Sequence, residues 1–234
     1  SCGRIRPWRT SRRRAPSSPS QGWINPGGDR TWLAPESLLF IADLARPFET
    51  YAVPRTLDPG RWRAVAAADS GLSLENVTRL TLHRAGGTVA VRIRKRYDSA
   101  DPCPSPAAAG LAFAGYAQTT ELEILDAPSA AVGLGVWNLL QMPIGGTMLI
   151  ATRQVAPPRV MFGRVHAGSL VAHDRCVRWR MDADGRSAKI GLKATGLTGR
   201  AGYLLLHPGE ATADLVVRSF AVDPSTMRLL HPDG

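Results

Sequence analysis

The stretch TRLTLHRAGGTVAVRIRK, Thr78 to Lys95, decides the fold class. Val89, Val91 and Ile93 share one parity, while Ala90, Arg92 and Arg94 take the other, the period-2 pattern of a strand with one buried face. Thr78 to Arg84 alternates likewise, with Leu80 and Leu82 on one side and Arg79, Thr81 and His83 opposite. Between the two runs Ala85-Gly86-Gly87 reads as a hairpin turn, because glycines accept the positive φ that such turns demand.

The same texture extends along the chain. Thr119 to Leu125 places Leu122 and Ile124 inward and Glu121 and Glu123 outward. Met148 to Thr152, Val160 to Val165, Val177 to Met181, Lys189 to Leu192, Tyr203 to Leu206 and Asp214 to Val222 are further short strand-like runs, broken by Gly, Pro and Asp. Only Ser37 to Ala45 and Ala131 to Leu140 have room for a few helical turns, and Gly133 and Gly135 weaken the second. Many short strands at even spacing predict an all-β protein, an antiparallel β-sandwich. The Pro-rich segment from Asp98 to Gly110 reads as a loop within one domain, since similar strands continue on both sides.

The 234 residues carry a net charge of +10, which suggests nucleic acid until it is located. Arg4, Arg6, Arg9, Arg12, Arg13 and Arg14 all fall in the first twenty residues, where there is no acid. Setting those six aside leaves 23 basic against 19 acidic residues, a balance of +4. Residues 1–20 lack the apolar core of a secretory signal, and their Arg/Pro/Ser mixture predicts a disordered tail ahead of a domain at 21–234. Such a tail would hold polyanions only non-specifically, through counterion release. No specific nucleic-acid partner is expected. No run approaches the roughly 18 apolar residues of a membrane-spanning helix, so no membrane partner is expected either. Cys2, Cys103 and Cys176 are odd in number and widely spaced, which argues against a disulfide framework or a zinc site. No cofactor or metal is expected.

Three blocks stand out from this background. Gly27 to Glu36 reads GGDRTWLAPE: a flexible Gly pair, a charged pair, an indole and a proline that favours extended geometry at Ala34. The segment can lay Asp29, Arg30, Trp32 and Glu36 along a sheet edge. Val136 to Pro143 reads VWNLLQMP and closes at Gly145-Gly146, and Lys189-Ile190-Gly191-Leu192 is followed by Gly202-Tyr203. In this order the blocks resemble the Gly-Gly-x-Arg-x-Trp-x-Ala-Pro-Glu, Trp-x-x-x-Gln-x-Pro and Lys-Ile-Gly segments of a bacterial branch of the galactose mutarotase-like (aldose epimerase-like) superfamily. The resemblance covers roughly 22–222. It implies a sandwich of the galactose mutarotase type and a carbohydrate ligand. Relatives of this type carry further strands on both sides, so it also implies a sandwich incomplete at both ends.

A pyranose offers apolar C–H faces and a ring of hydroxyls. Indoles supply flat surfaces for the first, and Arg, Glu, Gln, Asn and Lys hydrogen-bond the second. The candidate ligand-binding residues are therefore Arg30, Trp32, Glu36, Trp137, Asn138, Gln141 and Lys189. Five of them have a plain structural alternative: core packing for the two indoles, an Arg30–Glu36 ion pair pinning a bend, and a solvated strand end for Lys189. Epimerisation at an anomeric carbon needs a carboxylate base and an acid. Mutarotases that catalyse it share Asn/Arg, His and late-Glu motifs that this chain does not display. Glu36, Glu121 and Glu123, the last two about 7 Å apart along one strand, remain the carboxylates to consider, with His83 or His166 as the acid. The catalytic residues stay unassigned. The expectation is carbohydrate binding, with aldose 1-epimerase or related sugar-modifying chemistry in a full-length form as the alternative.

Overall fold

The computed structural model describes residues 28–68, 71–100, 111–128, 132–181, 188–207, 209–210 and 212–223. The arginine-rich tail at 1–20 lies outside them. The protein is all-β and sandwich-like, with every strand pair antiparallel.

The first sheet grows from the Thr78–Lys95 hairpin. β2 (Arg63–Ala68), β3 (Gly71–Thr81), β4 (Thr88–Ser99) and β5 (Tyr116–Asp126) lie side by side in chain order. The expected parity holds at its centre: Leu80, Leu82, Val89, Val91 and Ile93 are all buried, and Leu80 stands opposite Val89. Arg92 and Arg94 face outward, where they meet Glu75 across the strand pair and, for Arg92, Glu123. Glu121 and Glu123 are exposed as expected. Leu122 is half-buried, but Ile124 is exposed, because β5 is the sheet edge and its end has little packed over it.

A two-stranded ribbon packs on this sheet. β1 (Gly28–Ala34) pairs with β6 (Gly135–Gln141) in unbroken register from Gly28 opposite Gln141 to Ala34 opposite Gly135. The stretch from Ala131 to Leu140, which has room for a few helical turns in the sequence, instead supplies a strand from Gly135 onward. β1 offers it a full set of backbone partners, which outweighs a weak helical preference already lowered by two glycines. Of the few helical turns for which Ser37 to Ala45 has room, one forms, α1 (Glu36–Leu39). Beyond it the chain bends and bridges Ile41 to Tyr51, with α2 (Pro47–Thr50) between them.

Trp32, Leu33, Leu39, Phe40 and Leu57 join the inward face of β3 and β4 in one core. Burying Leu- or Val-sized side chains contributes about 1.5–3 kcal/mol each. Leu57 belongs to a helical turn at Thr56–Gly60, which packs against both β1 and β3. Gly60 ends that turn at φ +82°, and a Cβ there would stand 2.7 Å from the Trp62 indole nitrogen. Glycine is thus required on two grounds.

The second large sheet runs β13 (Ala213–Ser219), β12 (Leu197–Leu206), β7 (Thr147–Thr152), β10 (Cys176–Arg180) and β9 (Leu170–His173). β8 (Arg159–Gly163) and β11 (Ala188–Gly191) form a further pair. Tyr203 of β12 is buried, and its hydroxyl accepts from the Gly146 N–H at 2.9 Å and donates to the Pro143 carbonyl. That side chain clamps the turn between β6 and β7.

Candidate functional site

The three sequence blocks meet in space. The first two are the paired strands β1 and β6, and the third brings Lys189 on β11 over the ring of Trp137, 5.2 Å from its centroid. Strand alternation puts Arg30 and Trp32 on one face of β1 with Trp137 and Gln141 of β6. Arg30 Nη1 donates to Gln141 Oε1 at 2.7 Å, and the Trp32 and Trp137 rings meet edge to face at 5.6 Å. Glu36, one turn beyond β1, accepts from Lys189 Nζ at 3.4 Å and from the Tyr51 hydroxyl. Desolvation, reinforced by this bond to Glu36, raises the Tyr51 pKa, so its hydroxyl stays a donor. Six of the seven candidate residues thus form one continuous cluster. Asn138 is the exception, since it points to the opposite face and accepts from Thr31 Oγ1 at 2.9 Å.

The groups of this cluster are largely committed to one another. Arg30 does not pair with Glu36. Its carboxylate partner is Asp58, whose Oδ2 accepts from Arg30 Nε at 2.9 Å, from Arg30 Nη2 and from Trp32 Nε1 at 2.6 Å. Trp32 is 8% exposed and Arg30 7%, so the first is a core indole and the second a buried structural cation. Trp137 keeps a half-exposed ring, covered in part by the Lys189 ammonium. The alternative of an Arg30–Glu36 pair fails because Asp58, in the turn after α2, reaches Arg30 from a part of the chain that carries no motif. The other carboxylates and histidines considered do not gather: Glu121 and Glu123 are exposed on β5, and His83 and His166 are exposed on loops.

A different set of side chains, next to the Arg30–Asp58 pair, lines a pocket of about 240 Å³. Asp29, Arg30 and Thr31 come from β1, Leu57, Asp58 and Pro59 from the helical turn, and Trp62 from the segment after it. Leu74, Lys95 and Tyr97 come from the first sheet. Lys95 and Tyr97 continue the inward parity of Val89, Val91 and Ile93, so β4 carries a lysine on its core-facing side. Lys95 is 5% exposed, and its ammonium lies 4.5 Å from the Trp62 ring centroid. Among the described residues it makes neither a hydrogen bond nor an ion pair. Burial lowers its pKa from the usual lysine value, while the charges of Asp29 and Asp58 pull the other way.

Asp29 is held by one oxygen only. Oδ2 accepts from the Tyr116 hydroxyl at 3.2 Å and lies 3.6 Å from Arg218 Nη2, whereas Oδ1 is buried with no hydrogen bond. Desolvation, with the nearby charge of Asp29 adding to it, pushes the Tyr97 hydroxyl up to about 12, and the same two causes raise Tyr116. Both phenols are therefore neutral donors at ordinary pH. The pocket offers an ammonium seeking an acceptor, a carboxylate oxygen seeking a donor, and two aromatic side chains. Asp29 lies within the first sequence block but not among the seven candidate residues, and Lys95 is not among them either. The signal was available in the parity of β4. Comparison of the chain with protein-family models, with curated proteins and with solved structures returned no match.

Proposed function

We propose that the protein binds a neutral carbohydrate in the pocket between β1 and β4 without transforming it. The observation that carries this reading is that Lys95, with no hydrogen bond or ion pair among the described residues, lines one small cavity together with Asp29, whose Oδ1 is buried without a hydrogen bond. A hydroxyl group satisfies both, since it accepts from one and donates to the other. A carboxylate ligand suits Lys95 but is repelled by Asp29, and an amine meets the reverse problem. Trp62 and Tyr97 add apolar surface suited to sugar C–H faces. The resemblance of the three sequence blocks to galactose mutarotase-like proteins supports the same ligand class, and the Trp137–Lys189–Glu36 cluster gives a longer saccharide a second polar edge.

Calorimetric titration of the full chain with a panel of mono- and oligosaccharides tests the reading. Hydrogen bonds to charged groups contribute about 1.5–3 kcal/mol, so Lys95→Met and Asp29→Asn should each weaken binding by at least about tenfold. The proposal fails if no sugar in the panel binds, or if both variants bind as the parent does. The epimerase alternative has one observation in its favour: a carboxylate and an ammonium face the same cavity, as a base and an acid would. Polarimetry of α-glucose and α-galactose separates the two readings. Faster mutarotation that is lost in Asp29→Asn supports the enzyme, and a rate equal to buffer rejects it for those sugars.

A further inference from the structure

The geometry points to Lys95 as a covalent site: we propose that its side-chain nitrogen condenses with small aldehydes, the open-chain form of an aldose among them, to give an imine inside the pocket. This goes beyond sugar binding and stands on the pocket itself. An amine attacks a carbonyl only when its lone pair is free and the carbonyl can reach it. Lys95 meets both conditions better than an ordinary surface lysine. It lines a cavity of about 240 Å³, is 95% withdrawn from solvent, and has no carboxylate bonded to its nitrogen among the described residues. The surroundings favour the neutral amine through desolvation.

Every charged or titratable group on the cavity is accounted for. Asp29 and Arg30 come from β1, Asp58 from the helical turn and Tyr97 from the same strand as Lys95. Across β4, Lys95 stands opposite Leu74 on one side and Thr120 on the other, neither of them charged. Arg30 is bound to Asp58, so Asp29 is the carboxylate left to handle protons. In the step proposed, the ammonium proton passes to the Asp29 carboxylate and the nitrogen lone pair attacks the carbonyl carbon. The carbonyl π pair moves to oxygen, which takes the proton back from Asp29 as a hydroxyl. A second proton leaves nitrogen through the same carboxylate, and the hydroxyl departs as water. The net change is amine plus aldehyde to imine plus water, with no oxidant or reductant.

The chain holds only three lysines, Lys95, Lys189 and Lys193, so the other two are internal controls. The experiment incubates the full chain with glycolaldehyde and sodium cyanoborohydride at neutral pH, which reduces any imine to a stable secondary amine, and maps the label by peptide mass spectrometry. Burial favours the neutral amine at Lys95, so Lys95 should be labelled faster than Lys189 and Lys193 and carry most of the label. Asp29→Asn should slow labelling at Lys95 and leave the other two unchanged. Labelling of Lys95 no faster than theirs overturns the proposal. Titration with methyl glycosides, which have no free carbonyl, reports binding alone, so failure of the imine and failure of carbohydrate binding are told apart.

Discussion

Replacing Asp58 by alanine tests whether the charges around β1 are structural. Asp58 Oδ2 gathers three donors, two from Arg30 and the Trp32 indole N–H. The side chains of Arg30 and Asp58 are only 8% and 5% exposed. Truncating Asp58 removes the carboxylate opposite a buried guanidinium, and Gln141 Oε1 supplies no compensating charge. Breaking a buried ion pair from one side costs about 3–5 kcal/mol. The indole N–H loses its acceptor as well, but the two losses share one atom and do not simply add. We expect Asp58→Ala to lose about 3–5 kcal/mol, a large share of the roughly 5–15 kcal/mol that holds a domain together. The Arg30→Met/Asp58→Leu double variant should recover most of it, because apolar replacement removes the desolvation cost along with the attraction.

Urea unfolding followed by circular dichroism, with unchanged slopes required for the comparison, reads these values. Arg30→Met, Asp58→Leu and the double variant close a cycle, and the coupling should be well above about 0.5 kcal/mol, the scatter between independent sites. Additive effects, or an Asp58→Ala loss below about 1 kcal/mol, would place the pair at the level of a solvated bridge. The buried structural reading of Arg30 would then be wrong, and its guanidinium would return to the ligand-binding set.

Two further outcomes follow from the outer sheet face and the turn clamp. A hydrogen bond from Arg63, and then one from Arg94, holds the Glu75 carboxyl below its ordinary value of 4.5. The folded pKa is the depressed one, so this contribution is complete above about pH 4.5 and is lost as pH falls through the folded value. Urea midpoints followed downward from about pH 5 should therefore fall more steeply for the parent than for Glu75→Gln, and parallel curves would remove Glu75 from the acid response. Tyr203→Phe leaves a buried Gly146 N–H and the Pro143 carbonyl without their shared hydroxyl. It should cost about 1–3 kcal/mol, and an unchanged melting temperature would show that solvent replaces the clamp.

What was legible in the residues was local. The β3–β4 hairpin is written in adjacent letters, since alternation sets both faces and two glycines set the turn. β6 was not legible as a strand. Its partner β1 lies more than a hundred residues away, with Thr31 meeting Asn138 across a separation of 107, and no short window contains the reason for its conformation. Asp58 was hidden as well, since it lies 28 residues from Arg30, an acid in a Pro-Gly turn that nothing marks as the partner of Arg30. The cluster at Trp137, Glu36 and Lys189 was legible because its members lie in the recognisable blocks. Lys95 was legible in principle. It shares the parity of Val89, Val91 and Ile93, and a lysine at such a position either ends the buried run or has something to meet inside.

That second option separates the two polar clusters. Along the ribbon face, each charge has a counterpart: Arg30 has Asp58 and Gln141, and Lys189 has Glu36. Ion pairs of this kind explain themselves, because they settle their own desolvation, and they do not call for a ligand. In the pocket Lys95 and Asp29 Oδ1 stay apart, although each has the charge the other lacks. A buried polar group without a partner costs about 1–3 kcal/mol, and in a folded protein it needs a reason. Tyr116 and Arg218 hold the other oxygen of Asp29, while Trp62 faces the Lys95 ammonium with a ring it attracts but cannot neutralise. The surrounding side chains therefore leave Lys95 and Asp29 lining the same cavity without joining them. The proposed ligand, a molecule with hydroxyl groups, would join them, and for that reason the proposal rests on the pocket rather than on the better-marked ribbon face.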